Sequence, residues 1–248
     1  MDVKAERVNP YRGDTRCKTE QVRDMFDSIA PAYDFMNRMM TLGIDKLWRR
    51  KAVRMLSRMP HADILDVATG TGDLALLLAR SLRPDTVTGI DLSDGMLEVA
   101  RRKAVEAQPQ GHTRLDFLRA DCLDLPMAEG SFDIVTAAYG VRNFEHLLEG
   151  YREMYRVLRP GGTLCVIELS TPTSPLVKPF YKFYTRHVIP LAGRLVSRDV
   201  RAYSYLPESI AAVPQGDAML SLMREAGFTS ASFRPLTFGV CTIYLARK

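Results

Sequence analysis

The sequence predicts an α/β fold, a mostly parallel sheet with helices on both faces. Three observations carry that expectation. First, the apolar run of Ile64-Leu65-Asp66-Val67-Ala68-Thr69-Gly70-Thr71-Gly72-Asp73 enters a glycine turn and leaves through the apolar segment 74–78. That reads as strand, tight turn and helix. Second, strand-like and helix-like segments alternate from there to residue 169. Third, the acids Asp66, Asp91 and Asp121 stand at or just past the ends of strand runs. The carboxyl ends of strands in an open parallel sheet are where a ligand crevice forms.

The chain reads in order as follows. Residues 1–18 are polar and predict a frayed tail, with 19–248 as a single domain. Over 19–59, Val22, Met25, Phe26 and Ile29 recur at helix spacing. Breaks at Pro31 and Gly43 divide this stretch into a helical cap. Tyr33 and Asp34 follow the proline break, where a side chain can reach over a pocket. After the glycine turn, a helix runs to about Arg83. Thr86 to Ile90 is a strand ending in Asp91, Met96 to Ala104 a helix, and Leu115 to Arg119 a strand leading to Asp121-Cys122. Phe132 to Ala138 is a fourth strand with the exit Tyr139-Gly140-Val141-Arg142-Asn143. His146 to Leu158 is a helix stopped by Pro160-Gly161-Gly162. Thr163 to Leu169 is a fifth strand. Residues 170–205, rich in proline, aromatics and bases, read as a helical insertion that lids a pocket. A last helix over 208–227 and two closing strands, 229–238 and 240–246, complete the chain.

The glycine turn indicates the ligand. Gly70 and Gly72 let the backbone turn sharply and leave room for a ligand to approach. The spacing Gly70-Thr71-Gly72-Asp73-Leu74-Ala75 is formally that of a dinucleotide turn. Asp66 and Asp73 flank it, however, and an acid at a helix start repels pyrophosphate. S-adenosylmethionine (SAM) carries a sulfonium, an ammonium and a carboxylate without phosphate, and suits an acid-flanked loop. Asp91, about 20 residues on, is spaced to accept from ribose hydroxyls. Asp121 and the Cys122 N–H are placed for an adenine edge.

Composition bounds the rest. The net charge of +5 permits an anionic partner without requiring one, and no dense basic stripe points to nucleic acid. The four cysteines, Cys17, Cys122, Cys165 and Cys241, have no metal-ligand spacing. No metal is expected, and the pattern reads as a reduced, cytoplasmic protein. The polar start is not a signal peptide, and no run approaches the roughly 20 apolar residues that span a bilayer.

With Arg159-Pro160-Gly161-Gly162 added to the glycine turn and the three acids, the chain resembles class I SAM-dependent methyltransferases. That resemblance implies a Rossmann-like seven-stranded sheet with an antiparallel last strand. Three further stretches narrow it. These are Phe26-Asp27-Ser28-Ile29-Ala30-Pro31-Ala32-Tyr33-Asp34 with Asn37, Gly43-Ile44 and Trp48; Tyr139-Gly140-Val141-Arg142-Asn143; and Tyr203-Ser204-Tyr205-Leu206-Pro207-Glu208-Ser209-Ile210. They are similar to signatures of the ubiquinone/menaquinone biosynthesis C-methyltransferase family. The resemblance implies methylation of a ring carbon of a polyprenylated quinol, demethylmenaquinol or a benzoquinol. It implies SAM contacts at Thr71, Asp91 and Asp121-Cys122. Ala138 stands where some members have serine, and Ala68 where many methyltransferases have a first glycine.

Such chemistry needs an activated ring. A phenol of pKa about 10 is only about one part in a thousand ionised at pH 7, a deficit of roughly 4 kcal/mol. Arg142 is the leading activator, as a permanent cation beside a phenolate. A pairing of Arg142 with an acid such as Glu145 is the structural alternative. Asn143 is placed to hydrogen-bond a ring oxygen, His187 to act as base, and Tyr33 to cap the pocket. Lys178, Lys182, Arg186 and Arg194 lie among aromatics in the insertion, as on a surface that docks transiently on the inner face of a membrane. Homo-oligomerisation is left open. The competing functions are a methyltransferase for another small molecule and a non-catalytic SAM-binding protein.

Overall fold

The computed structural model describes residues 3–11, 13–107, 112–185 and 200–248, with side chains from 205 onward in the last stretch. Its centre is a seven-stranded sheet in the order β3-β2-β1-β4-β5-β7-β6. The strands are β1 Asp63–Val67, β2 Thr86–Asp91, β3 Arg114–Arg119, β4 Phe132–Ala138, β5 Leu158–Leu169, β6 Ser230–Leu236 and β7 Cys241–Arg247. β1 to β5 pair in parallel, and β7 runs antiparallel to both β5 and β6. The chain reverses its direction of travel across the sheet between β1 and β4. This is the switch point where crossovers leave to opposite faces and open a crevice.

The core follows the strand period. Ile64, Ile134, Cys165 and Ile167 pack on one face, against Trp48, Leu56, Leu74 and Leu78. Leu65, Val135, Leu164 and Val166 pack on the other, against Leu147, Tyr151, Met219 and Met223. Both faces being covered, these strands read as continuous apolar runs rather than alternating ones. The helices that cover them include α3 (Asp45–Leu56) and α4 (Asp73–Leu82) on one side, and α6 (Leu147–Val157) on the other. α4 ends at Arg83, whose φ of 53° is left-handed, and Pro84 follows as a stop. α1 (Lys18–Ile29), α2 (Tyr33–Thr41) and α5 (Asp94–Ala107) build the layer over the crevice. A third apolar cluster of Met25, Ile29, Met36, Met96 and Tyr205 holds that layer together.

Several expectations are corrected. The amino-terminal stretch is packed from Val3 onward rather than frayed: Val3 and Ala5 are buried. Glu6 accepts a hydrogen bond from the Leu147 N–H at 2.9 Å and so caps α6. The buried Lys18 ammonium donates to the carbonyls of Ala5 (2.6 Å) and Phe144 (3.1 Å). Its apolar content is too sparse for a periodic signal, and its partners are more than 100 residues away. β5 follows α6 directly, and residues 159–162 are a bulge between the pairs Phe132–Leu158 and Ile134–Thr163. The last helix is two, α8 (Val200–Ala212) and α9 (Asp217–Glu225), because Pro214 and the left-handed Gly216 (φ 58°) end the first. Within the insertion, the described part contains α7 (Lys178–Phe183), and α8 crosses residue 205 without a break. His187, Arg186 and Arg194 lie outside the described residues.

Asp66, expected at the cofactor, is a structural acid. It faces Gly89 of β2 and Thr136 of β4 across the ladder and is buried. Its carboxylate accepts from the hydroxyls of Thr69 and Thr136, each at 2.6 Å, so it braces the glycine turn from beneath.

Two outcomes follow. Lys18→Met keeps the apolar stem but leaves buried carbonyls without a donor, so it should cost about 1–3 kcal/mol in urea unfolding. Burial raises the Asp66 pKa from its ordinary 3.8 to about 6. Between those values the native state binds more protons than the unfolded one. Its contribution is therefore whole below pH 3.8 and is lost as pH rises through 6. Asp66→Asn should flatten that decline by up to about 3 kcal/mol, read from unfolding free energies at pH 4 and pH 7.

Candidate functional site

A cleft opens at the switch point. Gly70, Asp91, Asp121, Cys122, Ala138 and Gly140 line it, contributed by the ends of β1 to β4. Gly70 has a φ of 56°, and no atom lies within 4 Å of where its Cβ would stand, so the backbone is bare toward the cleft. Gly140 is required by a different constraint: a Cβ there would lie 2.6 Å from the Cβ of Ala68. Ala68 itself is left-handed at φ 51°, so the first and fourth strands leave the sheet almost in contact.

Asp91 is fixed by backbone donors. Its Oδ2 accepts from Gly70 N at 2.8 Å and its Oδ1 from Ser93 N at 3.0 Å. The carboxylate keeps acceptor capacity for a ligand hydroxyl. Burial raises its pKa, and the N–H groups of Ser93, Gly70 and Leu92 oppose the rise. Capping of α5 is done by Ser93, whose Oγ accepts from Met96 N at 3.0 Å. Asp121 accepts from Leu123 N at 2.9 Å, which sets the turn that presents Cys122.

Three expected cofactor residues stand back from the cleft. Asp66 lies under the turn. The buried Thr71 donates its hydroxyl to Asp34 Oδ1 at 2.6 Å. Gly72 packs toward Ala100 and Phe117, each 3.0 Å from where a Cβ would sit. Thr71 and Gly72 thus join the turn to the cap and to α5. Lys103 completes that junction: it bonds Asp34 Oδ2 at 2.8 Å and pairs with Asp73. Burial works against the Asp73 charge, but Lys103 and Arg49 hold its pKa below the ordinary value.

A second cavity adjoins the first. Its walls are aromatic and aliphatic, including Trp48, Phe180, Tyr181, Tyr184, Leu206 and Ile210. Tyr33 and Tyr139 line both cavities and form the partition between them. Tyr184 of α7 donates to the Met40 carbonyl of α2 at 2.9 Å, and Trp48 Nε1 donates to Thr237 Oγ1 at 2.8 Å. Those bonds tie the lid and the closing hairpin to the cap around the cavity.

Arg142 is buried in this cavity's wall. Its acid is Glu168 of β5 rather than Glu145. Nη1 donates to Glu168 Oε1 at 2.8 Å and also to the Tyr139 carbonyl. Glu145 instead accepts from Thr19, at 3.0 Å from its N–H and 2.6 Å from its hydroxyl. Burial works against the Arg142 charge, but Glu168, Tyr33 and Tyr205 hold its pKa above the ordinary arginine value. Its Nε has no hydrogen-bond partner among the described residues, nor has the Tyr139 hydroxyl. Asn143 lines the first cleft, and its Oδ1 accepts from Tyr205 OH at 3.1 Å. That leaves the amide NH₂ as its free donor. Enclosure raises the Tyr33 pKa, and the Arg142 charge opposes the rise.

The structure therefore brings Tyr33 and Asn143 together with Gly70, Asp91, Asp121 and Cys122 in the first cleft and places Arg142 in the wall of the adjoining cavity. Sequence reasoning missed Glu168 and the roles of Tyr139 and Tyr205. An acid within the apolar run Val166-Ile167-Glu168-Leu169 was the available signal, since a buried carboxylate demands a partner.

A model of the ubiE/COQ5 methyltransferase family matches residues 14–248. A demethylmenaquinone methyltransferase of Bacteroides fragilis is 46% identical over the whole of both chains. A ubiquinone/menaquinone biosynthesis C-methyltransferase UbiE of Geobacter sulfurreducens is 41% identical over all of this chain and 95% of its own. Among solved structures, the [4+2]-cyclase SpnF has a TM-score of 0.68 at 19% identity, covering 93% of this chain and 96% of its own. A SAM-dependent methyltransferase of Thermotoga maritima has a TM-score of 0.61 at 18% identity, covering 91% and 99%. Those two likenesses show the fold alone, and one of them is to a cyclase, so chemistry is not read from them. The family match over nearly the full length settles kinship: the chain belongs to the ubiE/COQ5 methyltransferase family.

Proposed function

We propose that this protein transfers a methyl group from SAM to a ring carbon of a polyprenylated quinol, demethylmenaquinol foremost and a benzoquinol as a further acceptor, in respiratory quinone synthesis. The observation that carries the reading is Arg142, a buried cation with an unpartnered Nε in the wall of a large apolar cavity next to an acid-rimmed cleft. The names of the full-length relatives support the same substrate class.

The first cleft fits SAM. Bare backbone at Gly70 leaves room for the amino-acid part, Asp91 retains acceptor capacity for ribose, and Asp121 with Cys122 N–H suits an adenine edge. When bound, SAM supplies an electrophilic methyl group. The chain's own residues must then activate and align the acceptor. A charge-assisted hydrogen bond from Arg142 contributes about 1.5–3 kcal/mol, a large part of the roughly 4 kcal/mol needed to ionise a phenol at pH 7. Asn143 NH₂ offers a second donor. Tyr33 and Tyr139 keep water from the boundary between the cavities. The ring carbon must finally lose a proton, and Arg142, always protonated, cannot take it. His187 is proposed for that step. The polyprenyl tail implies transient contact with a membrane surface. No helix among the described residues is long and apolar enough to cross a membrane.

The reaction is tested with a short-chain demethylnaphthoquinol, deuteromethyl-labelled SAM and mass spectrometry. Label on the ring carbon is expected; SAM binding without label on either ring type would overturn the assignment. Arg142→Ala should lower kcat by about 10–100-fold while the Kd for SAM changes less than threefold by calorimetry. Asp91→Ala should do the converse and raise the SAM Kd by about 10–100-fold, the loss of one or two charge-assisted hydrogen bonds. His187→Gln should lower kcat while the Kd for SAM stays unchanged; an unchanged kcat would move the base elsewhere.

A further inference from the structure

We propose that the mouth of the second cavity is a docking surface for an anionic lipid bilayer, a proposal that rests on the polyprenyl-quinol reading for its purpose. Among the described residues, the four most exposed large apolar side chains are Leu176 (81%), Phe238 (80%), Leu42 (78%) and Phe180 (78%). All four stand at this one opening. Leu42 and Phe180 line it, Leu176 precedes the lining Val177, and Phe238 follows the lining Thr237. They come from the end of α2, from α7 and its approach, and from the β6–β7 turn, so no single amphipathic helix explains their convergence.

The backbone adds a second observation. Leu42 and Phe238 have φ of 51° and 57°, in the left-handed region that bulky side chains rarely adopt. Strain of that kind persists where the surroundings fix it and clusters at functional sites. Here it turns two large apolar groups into solvent, the reverse of what folding alone favours. An unfilled apolar rim of this kind marks a partner surface.

Charge identifies the partner. Lys178 and Lys182 are exposed on α7 between and beside the apolar groups. Asp45, the acid that lines this opening among the described residues, is buried and paired with Arg49 at 2.5 Å. Cations beside an apolar opening match headgroup phosphates around an acyl phase, the arrangement of interfacial proteins. The same opening leads inward past Phe180 and Tyr181 to Arg142, so a lipid-borne ring reaches the site without crossing water.

The experiment uses the full chain and vesicles of phosphatidylcholine, with or without 30% phosphatidylglycerol. Wild-type protein should co-sediment with the anionic vesicles and release at 0.5 M salt. Leu176→Ser/Phe238→Ser and Lys178→Glu/Lys182→Glu should each lower the partition coefficient at least tenfold. They should also slow turnover of a long-tailed quinol held in vesicles. Turnover of a short-chain quinol in buffer should stay at the wild-type rate, because none of these side chains lines the cavity. Sedimentation of wild type no greater with anionic vesicles than without them would overturn the proposal. Equal partition of wild type and both variants would do the same. So would a vesicle-free dimer that the variants dissociate, which would give the rim to a second copy of the chain. Absence of short-chain turnover by wild type would instead count against the methyltransfer reading and leave the partition result standing.

Discussion

The site depends on one buried ion pair, Arg142 with Glu168. Removing two charges from water costs several kcal/mol per ion, and attraction offsets it only when the remaining donors and acceptors are satisfied. Here they nearly are. Glu168 also accepts from the N–H groups of Leu169 (2.8 Å) and Arg142 (3.3 Å), and Arg142 also donates to the Tyr139 carbonyl. The guanidinium is therefore held on one edge and has no freedom to swing out. Its Nε is left as a donor that no group among the described residues satisfies. A pair that left no donor over would be a structural brace, whereas this one holds a donor in reserve.

The loop carrying Arg142 is pinned from the opposite side as well. Lys18 reaches the Phe144 carbonyl, Glu145 receives Thr19, and Tyr205 holds Asn143. α1 is fastened in turn to α5: Asp27 Oδ1 accepts from Ser93 Oγ at 2.5 Å and Gly95 N at 3.0 Å. α2 is fastened to the glycine turn through Asp34, Thr71 and Lys103. The two cap helices thus rest on the amino-terminal ends of α4 and α5, the same ends that border the cofactor cleft. A ligand entering that cleft meets the cap at Tyr33 and Phe26.

This distribution explains what was legible in the sequence. Strands β1 to β5 and the helices packed on them announce themselves through apolar runs, glycine turns and prolines, all local signals. Asp91 and Asp121 were legible because a carboxylate at a strand's carboxyl end is positioned by the fold itself. Asp66 has the same sequence context and a different role, because the hydroxyl of Thr136 on a neighbouring strand claims it. Thr71 is the same case: its hydroxyl is claimed by Asp34, 37 residues earlier. The packed amino terminus, Glu168 and the Tyr205–Asn143 bond were illegible for one reason. Each is defined by a partner in another element, and a single sequence does not show which elements meet.

The wall of the second cavity combines two kinds of selectivity. An apolar wall discriminates weakly, since a methylene more or less is worth only about 10–200-fold. The aromatic and aliphatic lining therefore tolerates variation in the shape of an apolar ligand. A buried donor left without its acceptor discriminates strongly, because every ligand lacking that acceptor leaves the donor's desolvation cost unrecovered. The unpartnered Arg142 Nε–H is such a donor. Permissive walls around an exacting donor favour a ligand that brings an acceptor to Nε and discriminate little otherwise.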